Sequence, residues 1–257
     1  MCVTDSVVPN PSSSSSSNHP APLKLRQVFF ITGTDTEVGK TVVSCVLLAR
    51  AKRLGWSAFG VKPITAGCAT DTAGKLVSED AENMHRYSSV DIDPMLRAPI
   101  RLPDPISPHL AAAAAGQVLR ADRVVGQVRA ALSTRADLVI VEGAGGWRVP
   151  INARETLADI AKQLQKPVIL VIRIRLGCLN HALLTAEAIQ HDGLSLAGWV
   201  VTILDTDQDA DYVSAQIQSL AERLRAPCLG ILPFQETLDI EALADLIRLP
   251  GEEIAVG

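Results

Sequence analysis

The sequence predicts an α/β fold, a doubly wound and mainly parallel sheet flanked by helices. Three observations carry this expectation. Short apolar runs rich in branched residues alternate with longer amphipathic stretches from Gln27 onward, and such alternation implies crossover connections between parallel strands. The runs are continuously apolar, as strands buried on both faces are. Polar and glycine-rich segments follow directly after several of them, where open α/β sheets bind their ligands.

The elements follow in chain order. VFFIT (28–32) reads as the first strand, and the glycine-containing segment after it leads into a helix over 40–54. SAFGVK (57–62) gives a shorter strand. SEDAEN (78–83) opens a helix over 79–88, its acids placed to complement the positive end of the helix dipole. In PISPHLAAAAAG (105–116), Ser107 as N-cap and Pro108 at the first helical position start a helix over 109–116. A helix over 121–134 precedes the strand LVIVE (138–142). Three further pairs complete the series after a helix over 156–165. They are PVILVI (167–172) with 179–192, LAGWVV (196–201) with 209–224, and CLGIL (228–232) with 239–248.

Residues 1–24 differ. Six consecutive serines and several prolines leave little to bury, so this stretch is expected to be a disordered tail, and 25–257 one α/β domain. The tail lacks the basic start and apolar stretch of a signal peptide, and carries no arginine before Arg26. The chain is 257 residues long, 47% hydrophobic and 20% charged, with net charge −4. That balance argues against a nucleic-acid binder. Cys2, Cys45, Cys68, Cys178 and Cys228 form no C-x-x-C pair, which disfavours a disulfide framework or zinc site and makes a reducing cytoplasm the expected compartment. No apolar run approaches the roughly 20 residues that span a bilayer.

The polar segments carry the chemistry. In ITGTDTEVGKTVVSC (31–45), G-K-T stands at a strand–helix junction, but Thr34 occupies the position where G-x-x-x-x-G-K-T has its first glycine. Gly33 comes one residue early, and the loop contains Asp35 and Glu37. Backbone amides of such a loop, with the helix N-terminus, cradle phosphate oxygens. Lys40 is placed to bridge the β- and γ-phosphates and Thr41 to bind Mg²⁺. Lys62, in KPITAG (62–67), is a cation at a rigid strand exit; alone it reads as an ordinary surface lysine. Asp80 alone reads as helix-dipole complementation. Glu142, ending a buried strand in VEGAGGW (141–147), is placed to hold Mg²⁺ directly or through water. Gly143, Gly145 and Gly146 allow close approach to phosphates. Gly177, Cys178, Leu179 and Asn180 begin a helix whose free amides suit a carboxylate or phosphate. Cys178 could also be a low-pKa thiol there, but with no base in view backbone binding is preferred. His181 reads as a helix residue and not as a catalyst.

In order, GTDTEVGKT (33–41), KPITAG (62–67), SPH (107–109), VEGAGGW (141–147), LGCLNHALLTA (176–186) and AGW (197–199) resemble the dethiobiotin synthetases, P-loop NTPases that close the ureido ring of biotin's precursor. The likeness runs from Gln27 to about Pro233. GTDTEVGKT is highly specific, and the remaining motifs are strong in sequence. The resemblance implies a reaction in which 7,8-diaminononanoate and CO₂ form a carbamate. The carbamate attacks the γ-phosphate of MgATP, and the second amine then closes the ring and expels phosphate. It implies catalytic roles for Lys40, Lys62 and Thr36, with Thr36 on the carbamate or diamine. It makes Thr41, Asp80 and Glu142 the Mg²⁺ set, and places Glu37 near ATP and the metal. Nucleotide contacts are expected from Thr34, Asp35, Glu37, Val38, Gly39, Lys40, Thr41, Glu142, Gly143 and Gly145, with Thr202, Pro233 and Glu236 at the base. Thr36, Lys62, Thr65 and Ala66 would face the substrate. A homodimer is implied, in which the neighbouring subunit's Gly177–Asn180 segment, with Tyr212 nearby, holds the substrate carboxylate.

Three departures from the family pattern stand out. Ala66 stands where the family often has a hydroxyl residue, so one carbamate contact is lost unless Thr65 supplies it. Thr202 and Ile203 stand where an Asn-Asp pair often reads adenine. Arg175, with Arg173 nearby, replaces a lysine. Two other classes share parts of the pattern. A partition- or septum-type ATPase switch would carry a second lysine within the loop, where this chain has Asp35 and Glu37. Related domains of cobyrinate amidation enzymes or phosphotransacetylases usually belong to longer chains.

Overall fold

The computed structural model describes residues 26–206 and 208–252, so the expected N-terminal tail lies outside the described residues. Six strands form one sheet in the order β10-β9-β8-β1-β7-β2, every neighbouring pair parallel. They are β1 (Gln27–Gly33), β2 (Ala58–Val61), β7 (Leu138–Gly146), β8 (Val168–Arg173), β9 (Leu196–Thr202) and β10 (Cys228–Leu232). The helices between them are α1 (Lys40–Arg53), α2 (Glu79–Tyr87), α3 (Pro94–Arg97), α4 (Pro108–Ala114), α5 (Ala121–Leu132), α6 (Leu157–Leu164), α7 (Cys178–His191), α8 (Ala210–Arg223) and α9 (Ile240–Leu243). The doubly wound parallel sheet is the predicted one. Among the described residues, no helix is long and apolar enough to cross a membrane.

Burial on both faces explains the continuous apolar runs. Alternate residues of β1 enter different cores: Phe30 packs with Val139, Val141 and the α5–α6 layer, whereas Phe29 and Ile31 pack with α1, Leu138 and Ile140. Neither face is left for polar side chains, so the sequence shows no alternation. A third cluster joins Leu170, Ile172, Trp199 and Val201 to α7 and α8.

Several elements depart from expectation. Strand β7 runs on to Gly146 because that glycine pairs with Gly33, bringing the loops after the two central strands together. The last helix is short. Beyond Leu243 the chain is drawn onto β10 instead, through the Gly230–Ile247 bridge and the Arg248 N–H donated to the Leu229 carbonyl. The short pieces β3 (Ile64–Ala66), β4 (Ala69–Thr70), β5 (Leu76–Val77) and β6 (Ile100–Leu102) form a parallel β3–β6 pair and an antiparallel β4–β5 pair. Two- and three-residue strands give periodicity nothing to register. Ser107 does occupy the N-cap of α4, yet it makes no side-chain capping bond and instead lines the main cavity.

Candidate active site at the carboxyl ends of the strands

The phosphate-type loop leaves β1, which is flanked by β8 and β7 at the middle of the sheet. Gly39, at φ +83°, is the N-cap of α1 and turns the loop into the helix. Its left-handed backbone is one that glycine adopts without steric cost. Glu37 takes a left-handed conformation without that excuse, at φ +56°, a strain that residues tend to carry where function requires it. Lys40 folds back and donates its ammonium to the Asp35 carbonyl at 2.8 Å, closing the loop on itself.

Four polar side chains meet below the loop. Glu142, fully buried, ends the hydrophobic part of β7. Its Oε1 accepts from Thr41 Oγ1 at 2.8 Å and from Lys62 Nζ at 2.5 Å. Lys62, only 4% exposed, also reaches Asp80 Oδ2 at 2.7 Å. Asp80 is positioned by α2, whose N-cap Ser78 accepts from Ala81 N–H at 3.2 Å. The Thr65 and Ser78 hydroxyls share a 3.0 Å hydrogen bond, so the strand-exit segment and the helix cap are tied together. Thr65 therefore has a hydroxyl partner of its own beside the cavity.

The charges reflect this crowding. Burial, aided by repulsion from Lys62, pulls the Lys40 ammonium down to about 8. Burial also presses on Lys62, but Glu142 and Asp80 outweigh it and leave the ammonium above the usual lysine value. Asp80 is likewise pushed up by burial, yet Lys62, the Thr41 hydroxyl and Lys40 together hold it below the usual carboxylate range. Burial beside Glu142 and Asp80 pushes the Cys45 thiol up to about 12, so Cys45 is an inert packing residue.

A cavity of about 670 Å³ opens above this cluster. It is lined by the expected Thr36, Glu37, Gly39, Lys40, Thr41, Lys62, Thr65, Ala66, Asp80 and Gly145, and by Ile106 and Ser107. Gly145 lies at φ +69°, and a Cβ there would come within 2.8 Å of Val149. Other expected residues lie outside this lining. Gly143 is buried against the Phe30 ring. Thr34 donates its N–H to the Val171 carbonyl, and Val38 is buried beneath the loop. Asp35 faces sideways, accepting from Thr36 N–H and pairing with Arg175 at 2.5 Å. Burial pushes its carboxyl up, but the Thr36 amide and the Arg175 guanidinium together outweigh it and hold it below the ordinary value.

The segment Gly177–Asn180 does not line this chain's own cavity. Gly177 caps α7 at φ +91°, Cys178 is buried with Sγ donated to Gln216 Oε1 at 3.5 Å, Leu179 packs inward and Asn180 is exposed. The Tyr212 hydroxyl is buried without a hydrogen-bond partner.

A second hollow of about 500 Å³ lies beyond β9 and β10, lined by Ile203, Asp205, Phe234 and Glu236 among others. Thr202 does not face it. Its side chain is 1% exposed, its hydroxyl donates to the Val38 carbonyl at 2.8 Å, and its methyl approaches Gly39. Thr202 thus braces the phosphate-type loop from the end of β9. Pro233 is exposed beside Phe234 but is not part of that hollow's wall. Arg173 pairs with Asp205 at 2.5 Å, so the two arginines that depart from the family pattern each brace a different loop.

Thr41, Asp80 and Glu142 offer hydroxyl and carboxylate oxygens about one point, a hard donor set suited to Mg²⁺. Lys62 already shows that a cation is accommodated between the two carboxylates. Among the described residues, no group of three or more His, Cys, Asp or Glu side chains could hold a metal, which leaves a cation here to be completed by other oxygens.

Sequence and structure comparisons agree on the context. A family model described as an AAA domain matches residues 27–242. In fold, the chain resembles the signal recognition particle receptor FtsY from Elizabethkingia anophelis, with TM-score 0.50 and 18% identity, over 86% of this chain and 65% of that one. It also resembles a ParA family ATPase from Chlorobium tepidum, with TM-score 0.50 and 15% identity, over 82% of this chain and 86% of that one. At such identity these establish the P-loop NTPase fold alone. The ATP-dependent dethiobiotin synthetase of Cellvibrio japonicus is 49% identical over 81% of this chain and 90% of its own length. Those of Pseudomonas aeruginosa and Chromohalobacter salexigens are 47% and 43% identical, over 84% and 87% of this chain and 93% and 98% of their own lengths. Identity at this level, sustained over nearly the whole length of those enzymes, places the chain in the ATP-dependent dethiobiotin synthetase family.

Proposed function

We propose that the chain catalyses ATP-dependent carboxylation and ring closure of 7,8-diaminononanoate to dethiobiotin, releasing ADP and phosphate. The carrying observation is the buried Lys62–Glu142 pair, with Asp80 on its cavity side, joined to the phosphate loop at Thr41. Two anionic groups must meet there, a carbamate and a triphosphate, and fixed cations and backbone dipoles in a shielded site offset their repulsion.

The roles follow from placement. Backbone amides of the loop and α1, with Lys40, hold the triphosphate, and Lys40 exchanges the Asp35 carbonyl for phosphate oxygen. Thr41, Asp80 and Glu142 would hold Mg²⁺, which supplies charge neutralisation between the phosphates. Lys62 and Thr36 face the cavity and orient the carbamate oxygen toward the γ-phosphorus. Attack gives the carbamic–phosphoric anhydride and ADP. The second amine then attacks the carbonyl, the C–O bond to phosphate breaks, and the ring closes. The base would rest in the hollow beside Ile203 and Phe234.

The active unit is a homodimer in this reading. Leu176, in the turn just before α7, is 90% exposed, and Leu184, one turn beyond Asn180 on the helix, is 56% exposed. Such a face suits a second copy, whose α7 start would hold the substrate carboxylate that this chain's own cavity does not meet.

Purified protein with MgATP, bicarbonate and the diamine is expected to yield dethiobiotin and ADP in equal amounts. Phosphate release that ignores the diamine, without ring product, would instead support an ATPase switch. Asn180→Ala is expected to raise the KM for the diamine about ten- to a hundredfold, the loss of about 1.5–3 kcal/mol from a charge-assisted hydrogen bond. kcat should change little, because the carboxylate is remote from the bond being made. Steady-state kinetics with varied diamine checks this split.

A further inference from the structure

We propose that Ser44 is a positioning residue for the cation site, acting through Glu142. This rests on the reading of Thr41, Asp80 and Glu142 as a Mg²⁺ set. Ser44 lies three residues after Thr41 on α1, so both project from the same side of the helix toward β7. Its side chain is fully buried, and its hydroxyl donates to Glu142 Oε2 at 2.6 Å. Thr41 and Lys62 approach the other oxygen, Oε1. One helix therefore grips both oxygens of a carboxylate that has no access to solvent.

The two contacts divide the labour. Without Ser44, the carboxylate could rotate about its last torsion, which is broad and roughly two-fold. A full two-fold turn merely exchanges equivalent oxygens, but with Ser44 in place any intermediate rotation would break its bond to the carboxylate inside the core. Oε1 is thereby kept facing Thr41, Lys62 and Asp80, which is where a cation would sit. Partners that orient a metal's carboxylate typically contribute 10- to 100-fold to metal affinity or activity.

A serine that merely pinned α1 to the sheet would affect every ligand of the loop alike. The test therefore compares two affinities in one protein. Binding of a fluorescent ADP analogue is measured with Mg²⁺ titrated in, and again in EDTA, for wild type, Ser44→Ala, Ser44→Cys and Ser44→Thr. Ser44→Cys preserves volume should alanine fail to fold, and melting curves confirm that each variant is native. The expected result is an increase of about 10- to 100-fold in the Mg²⁺ concentration for half-effect in the alanine and cysteine variants. Affinity in EDTA should stay unchanged, and threonine, which keeps the hydroxyl, should restore the wild-type Mg²⁺ dependence. Folded variants with wild-type Mg²⁺ dependence would overturn the proposal, as would an equal loss in EDTA. A wild-type protein indifferent to Mg²⁺ would sink the metal reading itself, a separate outcome.

Discussion

Replacing Lys62 by alanine is expected to lower turnover by about 30- to 1,000-fold, as is replacing Lys40. This corresponds to about 2–4 kcal/mol of lost transition-state stabilisation, by analogy with removal of a preorganised donor to developing charge. Both ammonium groups are buried and both line the cavity, so neither is screened as a surface lysine would be. Lys62 has a second consequence. Its removal leaves Glu142 and Asp80 facing one another without their counter-charge, and breaking a buried pair by deleting one partner costs about 3–5 kcal/mol of stability. Lys62→Gln, which keeps a donor of similar length, separates the two effects. Kinetics at saturating MgATP, bicarbonate and diamine, paired with thermal melts, provide the measurement. Near-wild-type turnover in a folded Lys62→Gln or Lys40→Ala protein would refute the assigned roles.

Discrimination between nucleotide bases is expected to be weak, with ATP, GTP, CTP and UTP giving similar kcat and moderately different KM. An Asn-Asp pair can present both donor and acceptor to adenine. Here Thr202 spends its hydroxyl on the Val38 carbonyl, and Ile203 brings only apolar surface to the hollow. The loss of one buried hydrogen-bond partner removes about 1–3 kcal/mol of discrimination, or roughly 5- to 150-fold. Phe234 can stack on any base, and loop contacts to the phosphates ignore the base altogether. Steady-state kinetics with the four triphosphates at fixed Mg²⁺ decides the matter. An ATP preference above about a thousandfold would show that groups such as Glu236 or the backbone beside Phe234 read adenine.

Much of this was legible in the sequence, for identifiable reasons. The sheet's strands announced themselves because both faces are buried, and the phosphate loop because glycine, lysine and threonine must be contiguous there. Lys62 and Asp80 were not legible from their own surroundings. Each reads as an unremarkable surface charge until Glu142, 80 residues from Lys62, is brought beside them. Ser44 was missed altogether, although a serine on the sheet-facing stripe of α1, one turn beyond Thr41, is a detectable signal. The Arg175–Asp35 pair spans 140 residues and follows no local rule. Thr202 was expected at the base because it stands where the family often has an Asn-Asp pair, and nothing local in the sequence shows that its hydroxyl turns to the Val38 carbonyl, 164 residues away.

That last hydrogen bond constrains how the protein can change. Thr202 is held by the strand next to the base hollow, but it works for the phosphate loop, bonding Val38 and packing on Gly39. An asparagine at 202 would have one amide group for two tasks, and turning it toward adenine would strip the buried Val38 carbonyl of its donor. Leaving such a group unsatisfied costs about 1–3 kcal/mol, comparable to what the new base contact would contribute. On the proposed reading of the two hollows, base preference and triphosphate grip would be epistatic at this position. A lineage that sharpens its choice of base here must acquire a compensating change in the loop, and the order of those two substitutions determines whether the intermediate still binds nucleotide.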